Sequence, residues 1–283
     1  MKEPHWLLRF SDNAHSQSGE DGIIAKVLAM LPNRNRVCVE FGAWDGVFLS
    51  NVRRLIMEEN YSSIMIEGDE AKFHELKATY SDNDKVTPLH AFVGFDAETC
   101  LDQILSPLSV PVDFDFLSID IDGNDFHVWN AMDYYRPKLI CIEFNPTIPT
   151  EVDFVQPAHP KVNQGCSLSA LCRLAQENSY ELICVTSYNA FFVDAQYFNL
   201  FEIADNSPHA LRQDISLVTC LFSGYDGSVH LAEAKRFHWH RMDMDHKKLQ
   251  QIPRFLQSYP HVYSRSQALM FKIYRRLRQY HLL

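Results

Sequence analysis

Acidic side chains recur where short apolar runs of the sequence end. Glu40 closes RVCVE, Glu67 closes SSIMIE, Asp120 closes FDFLSID and Glu143 closes KLICIE. If these runs are strands of one parallel sheet, their carboxyl ends meet at the edge where open α/β sheets bind ligands. Carboxylates are costly to gather at a partly buried edge unless a positive charge or a proton compensates them. The pattern therefore predicts a ligand site built on these acids.

The turn after the first of these runs, VEFGAWDGVFLSN at residues 39–51, has Gly42 and Gly46 on either side of a bulky Trp44. Dinucleotide sites use a tighter GxGxxG turn that lets the backbone approach a pyrophosphate. Here the carboxylates of Glu40 and Asp45 would repel a pyrophosphate. The turn favours a ligand with a cationic end and no phosphate.

S-adenosyl-L-methionine is such a ligand, because its ammonium and sulfonium groups attract carboxylates and aromatic rings and its ribose hydroxyls need an acceptor. Glu67, at the end of the next predicted strand, is placed to accept the ribose hydroxyls. The predicted cofactor-binding residues lie mostly at strand ends and in the turns that follow: Gln17, Glu40, Gly42, Asp45, Gly46, Asn51, Glu67, Phe92 and Asp120.

Methyl transfer to a hydroxyl needs an aligned acceptor oxygen and a base or metal ion that lowers the cost of removing its proton. Two interpretations stay open. In one, Mg²⁺ or another divalent cation is bound by Asp120, Glu143 and Asn145, which offer the oxygen ligands that such ions take. In the other, Asp120 holds the cofactor and the base comes from a set of catalytic candidates: Asp122, Asp125, His127 and Glu143.

Apolar runs and helical patterns alternate over the first two thirds of the chain, with Ser18, Glu20 and Asp21 marking the start of the first long helix. This alternation predicts a doubly wound, Rossmann-like, mostly parallel sheet with helices on both faces. A polar loop at residues 146–167 interrupts it. We expect a main domain over residues 1–225 and a helical extension over 226–283 that docks on the main domain or on a partner copy.

The C-terminal segment SRSQALMFKIYRRLRQYHLL contains five basic residues and no acid, and its apolar residues have helical spacing. Contact with the main domain, a homodimer partner or an anionic membrane surface are all open for it. The net charge of −10 argues against a nucleic-acid binder. No apolar run is long enough to cross a bilayer, no signal peptide is evident, and the seven cysteines are expected to be free thiols. We therefore expect a cytoplasmic protein.

The motifs resemble those of class I methyltransferases, with VEFGAWDG as the glycine motif and IEGD as the acidic ribose loop. More closely, the chain resembles the FkbM-like group over roughly residues 15–205. The stretches that carry this resemblance are SQSGEDGII, VEFGAWDGVFLSN, MIEGD, FDFLSIDIDGNDFHVW and LICIEFNP. The resemblance implies O-methylation of a hydroxyl on a sugar, glycan or secondary metabolite. The set Asp120, Glu143 and Asn145 is similar to the metal ligands of catechol-type O-methyltransferases, from which Glu143 departs by one methylene.

The sequence therefore predicts an S-adenosylmethionine-dependent O-methyltransferase. Two alternatives remain open at this point. One is a binding module that keeps the methyltransferase fold without chemistry, and the other is a nicotinamide-dependent oxidoreductase, which the missing third glycine disfavours.

Overall fold

The computed structural model describes residues 2–280 and separates into two compact units. The first unit, residues 1–215, contains the large sheet and is called the sheet unit below; the second, residues 216–283, is the C-terminal unit. The boundary predicted from the sequence lay between residues 225 and 226.

The sheet unit is organised around seven strands in the order β3-β2-β1-β4-β5-β7-β6. The first five strands of that order run parallel, whereas β7 runs antiparallel to both of its neighbours. This confirms the predicted Rossmann-like, mostly parallel sheet. The strand bounds are β1 Val37–Phe41, β2 Ser62–Glu67, β3 Val86–His90, β4 Phe116–Ile119, β5 Leu139–Glu143, β6 Tyr180–Val185 and β7 Asn189–Asp194.

Helices cover both faces of the sheet, as predicted. Alternation along β1 places Cys38 in one buried cluster and Val39 in another, because successive strand residues point to opposite faces. Helix α1 contributes to the cluster with Cys38 and α6 to the cluster with Val39. The helix bounds are α1 Glu20–Met30, α2 Arg53–Glu58, α3 Glu70–Thr79, α4 Leu101–Leu105, α5 Asp125–Asn130, α6 Leu168–Glu177 and α7 Pro208–Leu211.

Two elements of the sheet unit differ in detail from what their sequence predicts: YELICVTSYNAFFV is apolar enough for a strand and its continuation, and FLSNVRRLIMEEN has a helical pattern. The stretch YELICVTSYNAFFV, predicted as one strand and its continuation, is the antiparallel pair β6 and β7, whose turn is closed by a bond from Thr186 N to Asn189 O of 2.8 Å. The helix predicted over FLSNVRRLIMEEN begins only at Arg53. Its first residues stay in the loop because Leu49 has a φ of 57° and the buried Glu40 carboxylate binds Ser50 and Asn51.

The C-terminal unit contains the predicted C-terminal helix as α8, Arg265–Gln279, which a capping box of Ser264 and Gln267 begins. The sequence predicted that the residues before this helix are helical as well. They instead form two antiparallel strand pairs, followed by short 3₁₀ turns. These strands are β8 Thr219–Ser223, β9 Val229–Glu233, β10 Arg236–Phe237 and β11 Met242–Asp243. Within residues 2–280, no helix combines the length and apolar character that crossing a bilayer demands.

Candidate active site

The glycine loop after β1 lies directly against the end of β4. Gly42 has a φ of 73°, and a Cβ atom at this position would lie 1.8 Å from the backbone oxygen of Asp120. Gly46, with a φ of 76°, is equally enclosed by the side chains of Tyr80 and Leu76. Both positions therefore require glycine. The close approach at Gly42 places the loop beside the acidic end of β4.

Glu67 connects the glycine loop to the end of β2. One of its carboxylate oxygens accepts a 2.7 Å bond from Trp44 N, and the other accepts a 2.7 Å bond from Asp69 N. Each carboxylate oxygen has about two lone-pair sites, so both keep capacity for a ligand hydroxyl. Phe92, 61% exposed, follows β3 and lies beside Gly68. An acceptor of hydroxyl bonds and an open aromatic ring thus adjoin each other at this end of the loop.

The buried carboxylate of Glu40 holds the glycine loop by hydrogen bonds. Its carboxylate accepts bonds from Ser50 Oγ at 2.7 Å and from Asn51 N at 2.8 Å, and its side chain is buried. Burial raises the pKa of Glu40 to about 7 despite these bonds. Asn51 is also buried and donates to Ser118 Oγ at 3.0 Å. Both side chains fix the loop against β4, and neither has a free face toward solvent.

Asp45 and Gln17, the other predicted cofactor contacts, lie nearer the surface. Asp45 accepts bonds from Val47 N and Phe48 N at 2.9 and 2.8 Å, so it forms the turn that carries the loop's exposed apolar side chains. Gln17 is exposed, and its backbone oxygen accepts a 3.1 Å bond from Asn13.

Three carboxylates meet at the ends of β4 and β5. One oxygen from each of Asp120, Asp122 and Glu143 lies within 4.8 Å of the others. Asp122 has a φ of 56°, which bends the chain after β4. No ion pair within residues 2–280 joins a lysine, arginine or histidine to these three groups. The cluster is therefore a group of carboxyl side chains that no described cation of the protein pairs with.

Two carboxyl groups of the cluster have raised pKa values. Burial, and then repulsion by neighbouring carboxylates, raises the pKa of Asp120 to about 8 and that of Glu143 to about 9. Asp120 is nevertheless accessible to solvent. Near neutral pH the cluster holds protons that a bound cation would displace.

Asp125 and His127, two of the predicted catalytic candidates, are engaged by the backbone. Asp125 is buried and accepts bonds from Ile121 N at 2.9 Å and Gly123 N at 2.8 Å. Burial raises its pKa to about 6. His127 Nε2 lies 2.8 Å from the backbone oxygen of Gln156. Because a carbonyl only accepts, Nε2 carries the proton and Nδ1 is the atom left for proton transfer.

Asn145, predicted with Asp120 and Glu143 as a metal ligand, makes other bonds. Its Oδ1 accepts from Thr147 N at 3.0 Å and from Thr147 Oγ1 at 2.7 Å, and its Nδ2 donates to Gln164 O at 2.8 Å. These bonds use both lone pairs of Oδ1. The carboxylate that joins Asp120 and Glu143 in the structure is Asp122.

Gln156 and Arg212 hold the long loop 146–167 in shape. Gln156 is buried, and its side chain makes bonds to Asn124, Val162, Gln164 and Gly165 of 2.6–2.9 Å. Arg212 is buried and donates to the backbone oxygens of Pro146 and Ile148 at 2.6 and 2.8 Å. The only sequence signals are a glutamine in FVQP and an arginine far along the chain, and neither pattern indicates these contacts.

Glu20, which marks the start of the first long helix in the sequence, also belongs to this region. It is fully buried and accepts bonds from Thr186 Oγ1 at 2.8 Å and Asn189 Nδ2 at 3.2 Å. Asn189 is the register partner of Glu143 across β5 and β7. Among the described side chains its Oδ1 is one of the buried atoms without a hydrogen bond. Glu20 therefore orients the side chain of Asn189, which is in register with Glu143 of the cluster.

Several solved structures are similar to this chain. A SAM-dependent methyltransferase from Aquifex aeolicus is 12% identical over 68% of this chain and 97% of its own, with a TM-score of 0.38. The CcbJ methyltransferase from Streptomyces caelestis is 9% identical over 65% and 92%, with a TM-score of 0.41. The N-terminal domain of EvdMO1, in the presence of SAH and D-fucose, is 12% identical over 62% and 80%, with a TM-score of 0.40.

No protein-family model and no curated protein sequence matches the chain. At identities of 12% or less and TM-scores of 0.41 or less, the three structural matches carry no argument about cofactor, reaction or substrate. The strand order and the antiparallel β7 establish a Rossmann-like, mostly parallel sheet. The function has to be argued from the site.

Proposed function

We propose that this protein is an S-adenosylmethionine-dependent O-methyltransferase that acts on a hydroxyl of a sugar, a glycan or a secondary metabolite. The observation that carries the proposal is the approach of Gly42 to Asp120 O. This approach places the glycine loop, whose own carboxylates disfavour a phosphate, between Glu67 and the cluster of Asp120, Asp122 and Glu143. A ligand with ribose hydroxyls at one end and a positive charge at the other matches this order of groups.

The cofactor's two ends have separate partners in this proposal. Glu67 accepts the ribose hydroxyls with the lone pairs that Trp44 N and Asp69 N leave open. Phe92, exposed beside Gly68, offers a ring to the adenine. Asp120, at the close approach to the glycine loop, offers charge to the ammonium and sulfonium groups. Glu40 and Asn51 act indirectly, by holding the loop in shape.

The carboxylates at the ends of β4 and β5 supply the acid–base chemistry. A hydroxyl acceptor must lose its proton as the methyl group arrives. Glu143 and Asp122, each with a carboxylate oxygen within 4.8 Å of one of Asp120, can take it. The raised pKa of Glu143, about 9, makes its ionised form a stronger base than an ordinary carboxylate. The buried Oδ1 of Asn189, the register partner of Glu143, can accept a hydrogen bond from a protonated Glu143.

A divalent cation is the alternative route to the same end. Asp120, Asp122 and Glu143 offer three oxygens within 4.8 Å, and oxygen ligands suit Mg²⁺. This set fits a hard cation better than the set with Asn145, whose Oδ1 is occupied by Thr147. A bound ion would lower the pKa of a coordinated hydroxyl. Glu143 takes part in both alternatives, as base or as metal ligand. Loss of methyl transfer in Glu143→Gln is therefore expected under either of them.

Location and partners belong to the proposal as well. The acceptor is a small molecule or a glycan, the protein acts in the cytoplasm, and a homodimer or a membrane surface is the partner of α8. The support for a membrane surface is the outer side of α8, where Leu269 and Ile273 are 60% and 52% exposed beside Arg276 and Lys272. An apolar stripe flanked by cations is typical of helices that lie in the interface of anionic membranes. Five cations per copy disfavour pairing of two α8 helices.

Calorimetric titration of the purified protein tests the proposal. S-adenosylmethionine and S-adenosylhomocysteine are expected to bind, and NAD is not. Glu67→Gln is expected to weaken both adenosyl ligands, while the matched surface variant Glu70→Gln leaves them unchanged. The same titrations with and without Mg²⁺ separate the metal and base readings. Binding of NAD alone, or of no nucleoside ligand, would overturn the proposal.

A further inference from the structure

A groove in the C-terminal unit has the features of a second binding site. It encloses about 860 Å³ between β9, the segment from His246 to Gln257, and the side of α8 that carries Tyr274 and Arg278. Ligand pockets commonly enclose about 300–1,000 Å³. The groove is therefore large enough for an organic molecule and not only for an ion.

The charge of the groove has one sign. Lys247, Arg254 and Arg278 line it together with His230 and His246, and none of the lining residues is an aspartate or glutamate. Within residues 2–280, no carboxylate forms an ion pair with the three permanent cations. His230 differs, because Ser228 connects it to Asp226. A cleft with one sign of charge concentrates ions of the opposite sign.

Hydrogen bonds connect the three elements around the groove, and most of them do not involve the side chains of Lys247, Arg254 and Arg278. Gln250 bonds Val229 in both directions, at 2.9 and 2.8 Å, which ties the segment to β9. Tyr274 donates to Gln251 O, which ties the segment to α8. Arg278 donates to Gln251 Oε1. Lys247 and Arg254 take no part in these bonds, so they are available to a ligand.

We propose that this groove binds an organic phosphate. Arginine and lysine suit phosphate oxygens, since guanidinium can donate two parallel bonds and ammonium can donate to several oxygens. The apolar lining, Val229, Ile252 and Pro253, faces the organic part of the ligand. The phosphate comes from a soluble sugar phosphate or from a lipid headgroup. This site is independent of the proposed methyl transfer, because its residues all lie outside the sheet unit.

Titration of the full chain with glucose 1-phosphate and with monomeric dihexanoyl phosphatidic acid tests the proposal, with uncharged glucose as the ligand control. At least one phosphate is expected to bind, glucose is not, and the tighter phosphate identifies the source. The variant Lys247→Gln/Arg254→Gln is expected to weaken binding by about tenfold or more per cation removed. The control Arg265→Gln/Arg275→Gln removes two cations of α8 that do not line the groove and is expected to bind as the parent does.

Either of two results would overturn the proposal. One is that neither phosphate binds the parent protein. The other is that a phosphate binds the Lys247→Gln/Arg254→Gln variant as tightly as the parent. Failure of S-adenosylmethionine to bind would leave the groove untouched, so the two proposals fail separately.

Discussion

At the amino-terminal edge of the large sheet, the carboxylate of Asp115 is fully buried beside the fully buried Lys138, with Oδ1 to Nζ at 2.7 Å. Asn35 N, Arg36 N and the hydroxyl of Tyr61 satisfy the rest of its lone pairs at 2.9–3.1 Å. At the opposite edge, no lysine, arginine or histidine within residues 2–280 forms an ion pair with the cluster of Asp120, Asp122 and Glu143.

The difference separates two uses of a desolvated carboxylate. A carboxylate whose bonds and charge are satisfied within the chain contributes to the fold, and its removal leaves a buried charge without a partner. A carboxylate that lacks a counter-ion stores unfavourable energy that a proton or a ligand relieves. The first kind is expected at the edge away from ligands, and the second at the edge where α/β sheets bind them.

The largest expected effect comes from breaking the compensated edge. Lys138→Met leaves the Asp115 carboxylate buried and unpaired, so the free energy of unfolding is expected to fall by about 3–5 kcal/mol. Urea denaturation measures it. The double variant Asp115→Asn/Lys138→Met removes both charges and is expected to lose less. A loss for Lys138→Met no larger than for the exposed control Lys85→Met would contradict the comparison.

Removal of a charge from the cluster of Asp120, Asp122 and Glu143 is not expected to lower the free energy of unfolding. Glu143→Gln replaces a group whose raised pKa keeps it protonated near pH 7, so stability is expected to be retained or to increase. Methyl transfer from labelled S-adenosylmethionine to a panel of sugar hydroxyls is expected to fall by about 10²-fold or more, with cofactor binding retained. Glu151→Gln, an exposed acid of the neighbouring loop, is the control. Unchanged turnover would exclude a catalytic role for Glu143.

The pH dependence of stability sharpens the same contrast. The pKa values of Asp120 and Glu143, about 8 and 9, lie above those of the unfolded chain, near 4. Between these values the folded protein keeps protons that the unfolded chain has released. Stability is therefore expected to decrease as the pH rises from about 4 to about 9 and to level off above it. Glu40 and Asp125, with pKa values of about 7 and 6, act in the same direction over the lower part.

Denaturation of the parent and of Glu143→Gln across that range measures this effect. The variant is expected to show a shallower decrease, by up to about 1.4 kcal/mol per pH unit for one proton. Parallel curves for the two proteins would show that Glu143 ionises in the folded state as it does in the unfolded chain.

The smallest expected effect concerns cations rather than acids. Arg275 and Arg276 on α8 are exposed, and no ion pair within residues 2–280 includes them, whereas Arg173 is bonded to Asp153 at 3.0 Å. Binding to vesicles with anionic lipid is expected to weaken by about 1 kcal/mol for each of Arg275→Gln and Arg276→Gln. Arg173→Gln, which removes a compensated cation, is expected to have no effect in the same sedimentation assay. Equal effects of all three would remove the case for a membrane surface at α8.

Local sequence patterns were enough to predict the parallel strands β1 to β5, the glycine loop and the acids at the strand ends, because apolar runs and glycines report local geometry. They were not enough to choose between Asp122 and Asn145 as the third member of the cluster. That choice depends on the left-handed backbone of Asp122 and on the bonds between Asn145 and Thr147.

Contacts between distant residues were equally hidden. The pairing of Asp115 with Lys138, of Glu20 with Asn189, and of Arg212 with the loop after β5 depends on how the strands are ordered. The hairpin order of β6 and β7 also followed no local signal, because a continuous apolar run suits one long strand or two short ones. Sequence thus indicated that acids gather at the strand ends, and tertiary packing decided which side chains lie together there.

The central claim is that the carboxyl-terminal edge of the sheet retains uncompensated acids in order to bind a cationic cofactor. The most direct test is titration with S-adenosylmethionine near pH 8 in two buffers of different ionisation enthalpy, with the parent and with Glu143→Gln. A cation that binds beside Asp120 and Glu143 lowers their pKa values, so binding is expected to release protons, and fewer from the variant. Binding without proton release, or with equal release from both proteins, would contradict the claim.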